Sequence, residues 1–201
     1  GSEMCIRDRE NTTFYINHPS KNAVDKYYIY AYGNITGSTY DAGTAIRQAD
    51  EQMGVVMDNH NHIVWERGGK FLSNTVSLMD KTTVSGNVSS MKACIHMLLE
   101  SAQVSEDASR LKGASAMDIL KNYTDTPVNL TGCTVDEILY FVSSGKPVIA
   151  MKNSTQAVLI NAYSSSFVSW FDPSTGSTTK MSPNGAEKFF ENAGYIFISY
   201  I

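Results

Sequence analysis

Thr134-Val-Asp-Glu137-Ile-Leu-Tyr-Phe141-Val-Ser-Ser-Gly145-Lys-Pro147-Val-Ile-Ala-Met151 is the stretch in which the periodicity of this chain changes. Thr134 and Glu137 stand three apart, the spacing at which each can bond the other's backbone amide in a capping box. Ile138, Leu139, Phe141 and Val142 then give one apolar helical face, and Gly145 followed by Pro147 ends it. Val148-Ile-Ala-Met151 is a short apolar run of strand length. A helix therefore gives way to a strand within a few residues.

Working downstream, Ala157-Val-Leu-Ile160 and Phe167-Val-Ser-Trp-Phe171 repeat the strand pattern. Asp172-Pro-Ser-Thr-Gly176 is a turn, Ser177–Met181 suits an edge strand, Pro183–Asn192 a helix, and Tyr195–Ile201 alternates as a closing strand. Working upstream, Ala114–Tyr123 predicts a helix, and so does Ser90–Ala102, with Met91, Cys94, Ile95, Leu98 and Leu99 on one face. Helices first and antiparallel strands later is an α+β order.

Three segments carry a family resemblance. Ser90-Met-Lys-Ala93-Cys-Ile-His-Met97-Leu-Leu99 resembles the nucleophile helix of the C39-like cysteine peptidases at Ala93, Met97 and Leu99, with Ser90 where the cysteine is expected. Gln156-Ala-Val-Leu-Ile160-Asn-Ala-Tyr163 resembles the family's histidine strand, with Gln156 in the histidine's place and Ala162 in that of a glycine. Asp172-Pro-Ser-Thr-Gly176 matches the acid step in full. The resemblance implies a papain-like cysteine peptidase fold, N-terminal helices and then a C-terminal antiparallel sheet, with Ser90, Gln156 and Asp172 at degenerate triad positions.

In such a triad a thiolate attacks, an imidazole takes and returns the proton, and a carboxylate fixes the imidazole's tautomer. Glutamine has no basic nitrogen to deprotonate Ser90. The family's upstream oxyanion glutamine also has no counterpart around Val84 and Ser85. The expected function is thus peptide or cell-wall binding without turnover, by a pseudopeptidase. One alternative is an active cysteine hydrolase using Cys94. His96 cannot serve it as base from two positions along the same helix, and His18, His60 and His62 lie in the N-terminal part. A third alternative is a purely structural surface module. Cys94 as a buried residue of its amphipathic helix, and Cys133 as a structural residue just before the cap of the third, have a simpler explanation.

The N-terminal part is read as a separate small domain. Lys26-Tyr-Tyr-Ile-Tyr-Ala-Tyr-Gly33 predicts a strand with Tyr28, Tyr30 and Tyr32 along one face, suited to packing on a helix or stacking on a ligand. After the turn-rich Thr36-Gly-Ser-Thr39, residues Ala42, Ala45, Ile46, Ala49 and Met53 predict a helix closed by Gly54. Val55-Val-Met57 and Ile63-Val-Trp65 predict a hairpin around Asp58-Asn-His-Asn-His62, whose spacing suits a solvated turn better than a metal site. This βαββ unit is loosely similar to the SPOR-type modules that bind cell-wall glycan. Residues 1–10 are read as a tag or non-native leader, 11–68 as the βαββ module, 69–86 as a linker and 87–201 as the C39-like domain.

Composition narrows the partners. A hydrophobic content of 42% fits a globular chain, and a net charge of −4 with interspersed signs offers no basic stripe for nucleic acid. Membrane insertion is not expected, because no apolar run has bilayer length. With Cys5 of the leader set aside, Cys94 and Cys133 have neither CxxC spacing nor metal-ligand neighbours, so no disulfide framework, metal or other cofactor is expected. The anticipated partner is an extended peptide or peptidoglycan. By resemblance alone the setting is the secreted or surface proteins of Gram-positive bacteria, with any export signal outside these residues.

Overall fold

The computed structural model describes residues 3–7, 13–17 and 26–201. The chain divides into two compact units, Gly1–Gly69 and Lys70–Ile201.

In the first unit, β1 (Glu3–Arg7) pairs antiparallel with β2 (Thr13–Asn17), so the stretch read as a leader holds a strand. A second sheet follows, built from β3 (Tyr27–Ala31), β4 (Asn34–Thr39), β5 (Val55–Met57) and β6 (Ile63–Glu66) in the order β4-β3-β5-β6. Helix α1 (Ala42–Glu51) lies between β4 and β5 in the chain. From Tyr27 to Glu66 the order is ββαββ rather than the expected βαββ. The stretch Thr36–Thr39, read as a turn, is an edge strand that pairs with β3 across a bulge. Exposed Asn34, Thr36 and Ser38 alternate with half-buried Ile35, Gly37 and Thr39, and with Ile35 as the only large apolar residue of the strand hydrophobicity gives little sign of it.

The tyrosine row is also broken. Tyr27, Ile29 and Ala31 are buried, whereas Tyr28 and Tyr30 are half-buried on the opposite face. Tyr32 leaves the strand with φ 54° and is 79% exposed. Asp41 caps α1 by accepting from the Thr44 amide at 2.8 Å. At the helix's other end Met53, with φ 55°, makes the left-handed turn expected of Gly54. Gly54 is needed for closeness instead, since a Cβ there would lie 2.6 Å from the Tyr30 carbonyl oxygen.

In the second unit, α2 (Ser90–Ser101) and α3 (Ala116–Lys121) precede β8 (Pro127–Asn129), α4 (Val135–Ser143), β9 (Val148–Met151) and β10 (Ala157–Tyr163). Then come β11 (Val168–Asp172), β12 (Ser177–Met181), α5 (Pro183–Asn192) and β13 (Phe197–Tyr200). The antiparallel sheet runs β12-β11-β10-β9-β13-β8, with β7 (Asn74–Thr75) added against β10. Helices α2 and α3 cover the face bearing Ile149, Leu159 and Phe171. On the other face Phe189 of α5 stacks on Trp170 at 5.3 Å, with α4 beside α5. Coverage of both faces is why β10 reads as a nearly continuous apolar run.

The segment read as a linker, 69–86, belongs from Lys70 onward to this second unit. The Phe71 amide donates to Ser143 Oγ at 2.8 Å, Asn74 Nδ2 to the Val142 carbonyl at 2.8 Å, and Tyr163 Oη to the Phe71 carbonyl at 2.6 Å. Backbone and side-chain polar groups anchor it, and these carry no hydrophobic period.

Candidate functional site

One end of the sheet collects the residues of interest. The β9–β10 turn and the β11–β12 turn emerge there, and α2 begins against the first residue of β10. Ser89 caps α2 by accepting from the Lys92 amide at 3.2 Å, which makes Ser90 the first helical residue. Ser90 is buried, and its Oγ accepts a hydrogen bond from the Ala157 amide at 3.0 Å. It therefore meets the peptide unit that follows Gln156.

Gln156 is held on both sides of its amide. Asn153 Nδ2 donates to its Oε1 at 2.8 Å, and its Nε2 donates to Ser174 Oγ at 3.3 Å. Asp172 closes β11, where its Oδ1 accepts from the Ser174 amide at 2.9 Å and its Oδ2 accepts from Lys152 Nζ at 2.5 Å. The side chains of Lys152 and Asp172 are only 19% and 9% exposed, so this is a largely buried ion pair. Ser90, Gln156 and Asp172 are thus brought to one end of one sheet, bridged by Ser174 and Ala157. Lys152, Asn153 and Ser174 were not singled out in the sequence. A polar turn after an apolar run gives no sign that its first residue will reach a carboxylate in another turn.

Cys94 lies one helical turn below Ser90, and it is fully buried in the core with Leu98, Leu120 and Phe171. Burial pushes its thiol well above the ordinary range, and the charge of Asp172 pushes it further. A nucleophilic cysteine needs the reverse, a lowered pKa and access to solvent. The second unit's one histidine, His96, is engaged away from these residues: its Nδ1 meets the Glu106 carbonyl at 2.7 Å and its Nε2 faces Glu100 at 3.3 Å.

The segment before α2 forms a wall beside the acid turn. The Val84 amide donates to the Pro173 carbonyl at 3.0 Å, Ser85 and Val88 bridge each other, and Lys81 Nζ lies 5.8 Å from the centre of the Phe171 ring. Next to the β9–β10 turn a groove of about 630 Å³ is lined by Lys152, Asn153, Ser154, Phe189, Asn192 and Ile196. Lys152 and Asn153 thus face the groove while bonding Asp172 and Gln156.

In the first unit, the Asp58 carboxylate accepts from the backbone amides of His60 and His62 at 2.8 and 2.9 Å, and its Oδ2 lies 3.1 Å from His62 Nδ1. This is a side-chain-capped turn. Among the described residues no three His, Cys, Asp or Glu side chains are grouped to hold a metal ion. No described helix is long and apolar enough to cross a membrane.

Comparison with known proteins supports this architecture. The fold is similar to a crystal structure from Bacillus anthracis, provisionally assigned as a C39-like peptidase, with a TM-score of 0.56 and 17% sequence identity. The match covers 64% of this chain, a share similar in size to the second unit, and 97% of that one. Over that share the chain thus has an α+β fold similar to that of this provisionally assigned C39-like peptidase. No family model and no curated protein matches its sequence.

Proposed function

We propose that the second unit is a C39-like, papain-type pseudopeptidase that binds an extended peptide, free or as part of peptidoglycan, without cleaving it. The Lys152–Asp172 ion pair is the observation that carries this reading. The carboxylate that would orient an imidazole is occupied by an ammonium, and the neighbouring position holds Gln156, which cannot accept a proton at neutral pH. Ser90 has its oxygen turned to the Ala157 amide and no base beside it. A domain that has lost its base keeps the walls of its groove, since binding needs no proton transfer. From the resemblance we carry forward a secreted or surface-displayed protein of a Gram-positive bacterium, with the first unit contacting cell-wall glycan.

A panel of fluorogenic peptides and peptidoglycan stem peptides tests the proposal through turnover and affinity read on the same samples. Saturable binding without cleavage is expected, with affinity reduced at least several-fold by Asn153→Ala or Phe189→Ala. Cleavage lost with Ser90→Ala or Cys94→Ala would make the domain an enzyme. Absence of binding to every peptide and glycan would leave a structural module.

A further inference from the structure

The groove beside the β9–β10 turn combines an apolar lining with a polar rim, and its composition restricts what it can hold. Phe189 is half-buried and fixed in place, because it stacks on Trp170 at 5.3 Å and meets Phe190 edge-on at 5.1 Å. Ile196 leads into β13 and keeps 39% of its surface exposed, although its carbonyl is tied to the Met151 amide at 3.1 Å. Ala193, at the end of α5, completes the apolar lining. At about 630 Å³ the space has the size of small-ligand sites. An aromatic ring that is already held loses little freedom when a ligand covers it, so apolar contact there is retained as affinity.

Two polar groups of the rim are free. The Asn192 carboxamide and the Ser154 hydroxyl are exposed and have no hydrogen-bond partner among the described residues. Asn153 is engaged instead: its Oδ1 accepts from the Thr155 and Gln156 amides at 3.0 and 2.9 Å, while its Nδ2 donates to Gln156. It shapes the turn, and Asn192 and Ser154 are left to meet a ligand.

Charge separates the possible occupants. Of the residues lining the groove only Lys152 is ionisable, and its ammonium is bonded to Asp172. The groove also lies at the carboxyl end of α5, where the helix dipole places partial negative charge, and no basic side chain stands in the last turn to offset it. Lys188 and Glu191 are exposed on α5, do not line the groove, and oppose each other in sign. A carboxylate entering here would give up water, meet that field and find no free cation. An uncharged side chain meets none of these costs.

We propose that the groove is the selectivity pocket of the peptide site: it takes an apolar, above all aromatic, side chain from an uncharged stretch of peptide and disfavours segments that carry carboxylates. The flanking backbone amides bond the Asn192 carboxamide and the Ser154 hydroxyl. Peptidoglycan stem peptides carry carboxylates, so the ligand class is free polypeptide rather than cell wall. The inference rests on the peptide-binding reading above and narrows it.

Short peptides with blocked ends, identical except for phenylalanine, leucine, glutamine or glutamate at one central position, are titrated into the full chain by fluorescence anisotropy, beside a peptidoglycan stem peptide. The phenylalanine peptide is expected to bind about 5- to 20-fold more tightly than the glutamine peptide, the scale of covering one large apolar side chain. The glutamate peptide is expected to bind roughly 3- to 10-fold more weakly than the glutamine peptide, the scale of a charge at a helix end. Asn192→Lys puts a cation on the exposed rim and is expected to close the gap between glutamate and glutamine. Ile196→Ser is expected to reduce the preference for phenylalanine; should it not fold, the wild-type series and Asn192→Lys decide. Equal affinity for phenylalanine and glutamine, or a stem peptide bound as tightly as the phenylalanine peptide, overturns the pocket and leaves peptide binding standing. Absence of binding by every peptide overturns both.

Discussion

At the end of β11 an ammonium and a carboxylate are paired with little access to water, and such a pair is unforgiving when only one partner is removed. Lys152→Ala is expected to destabilise the second unit by about 3 kcal/mol, since Asp172 would be left charged and poorly solvated. Removing Asp172 in the same chain should recover a large part of that loss, and a double-mutant cycle read by urea unfolding measures how much. One turn below Ser90, the buried Cys94 thiol is expected to react with iodoacetamide only slowly until denaturant opens the core. Fast labelling in the folded state would return Cys94 to consideration as a nucleophile. Both expectations follow from burial, which residue identity alone does not disclose.

Among the elements, α4 is the one whose boundary is most fully written in its own residues. The Glu137 amide donates to Thr134 Oγ1 at 3.2 Å and the Thr134 amide to Glu137 Oε1 at 2.8 Å, a complete capping box. Thr134→Ala is expected to cost about 1 kcal/mol, measurable by thermal or urea unfolding. The same helix start is held from a distance, because the Val135 amide donates to Glu187 Oε2 at 3.1 Å and Tyr195 Oη donates to Glu187 Oε1 at 2.7 Å. Burial first, and the bond to Glu187 second, push the Tyr195 phenol well above its ordinary range. The fold thus favours the neutral phenol. Its contribution is complete below about pH 10 and is lost as pH rises toward the folded value. Tyr195→Phe should therefore reduce the decline of stability in alkali, at the cost of one hydrogen bond at neutral pH.

The whole molecule is two units that share no sheet among the described residues, the first holding β1-β2 and the four-stranded sheet and the second the large antiparallel sheet. Lys70–Ile201 has a core shared among α2, α3 and the sheet, and polar bonds that tie its first residues to α4 and β10. Expressed alone, residues 70–201 are expected to fold and unfold cooperatively, as judged by circular dichroism. A fragment cut at 87, where the sequence puts the domain start, would lose β7 and the anchor at Phe71. Lower stability of the shorter fragment is the outcome that supports this boundary.

Local pattern was enough for elements whose residues state their own ends. The capping box of α4, the proline at the first turn of α5 and the apolar runs of β9, β10 and β11 are such cases, and their order already specified α+β. The family resemblance also singled out Ser90, Gln156 and Asp172 together. Three features were decided only by tertiary structure: the polar edge strand β4, the inclusion of 70–86 in the second unit, and the Lys152–Asp172 pair. Hydrophobic periodicity records which face of an element is buried, and it is carried by near neighbours in sequence. Pairing of an edge strand, anchoring of a loop and neutralisation of a buried carboxylate depend on groups far apart in the chain, whose meeting is determined only when the sheet has assembled.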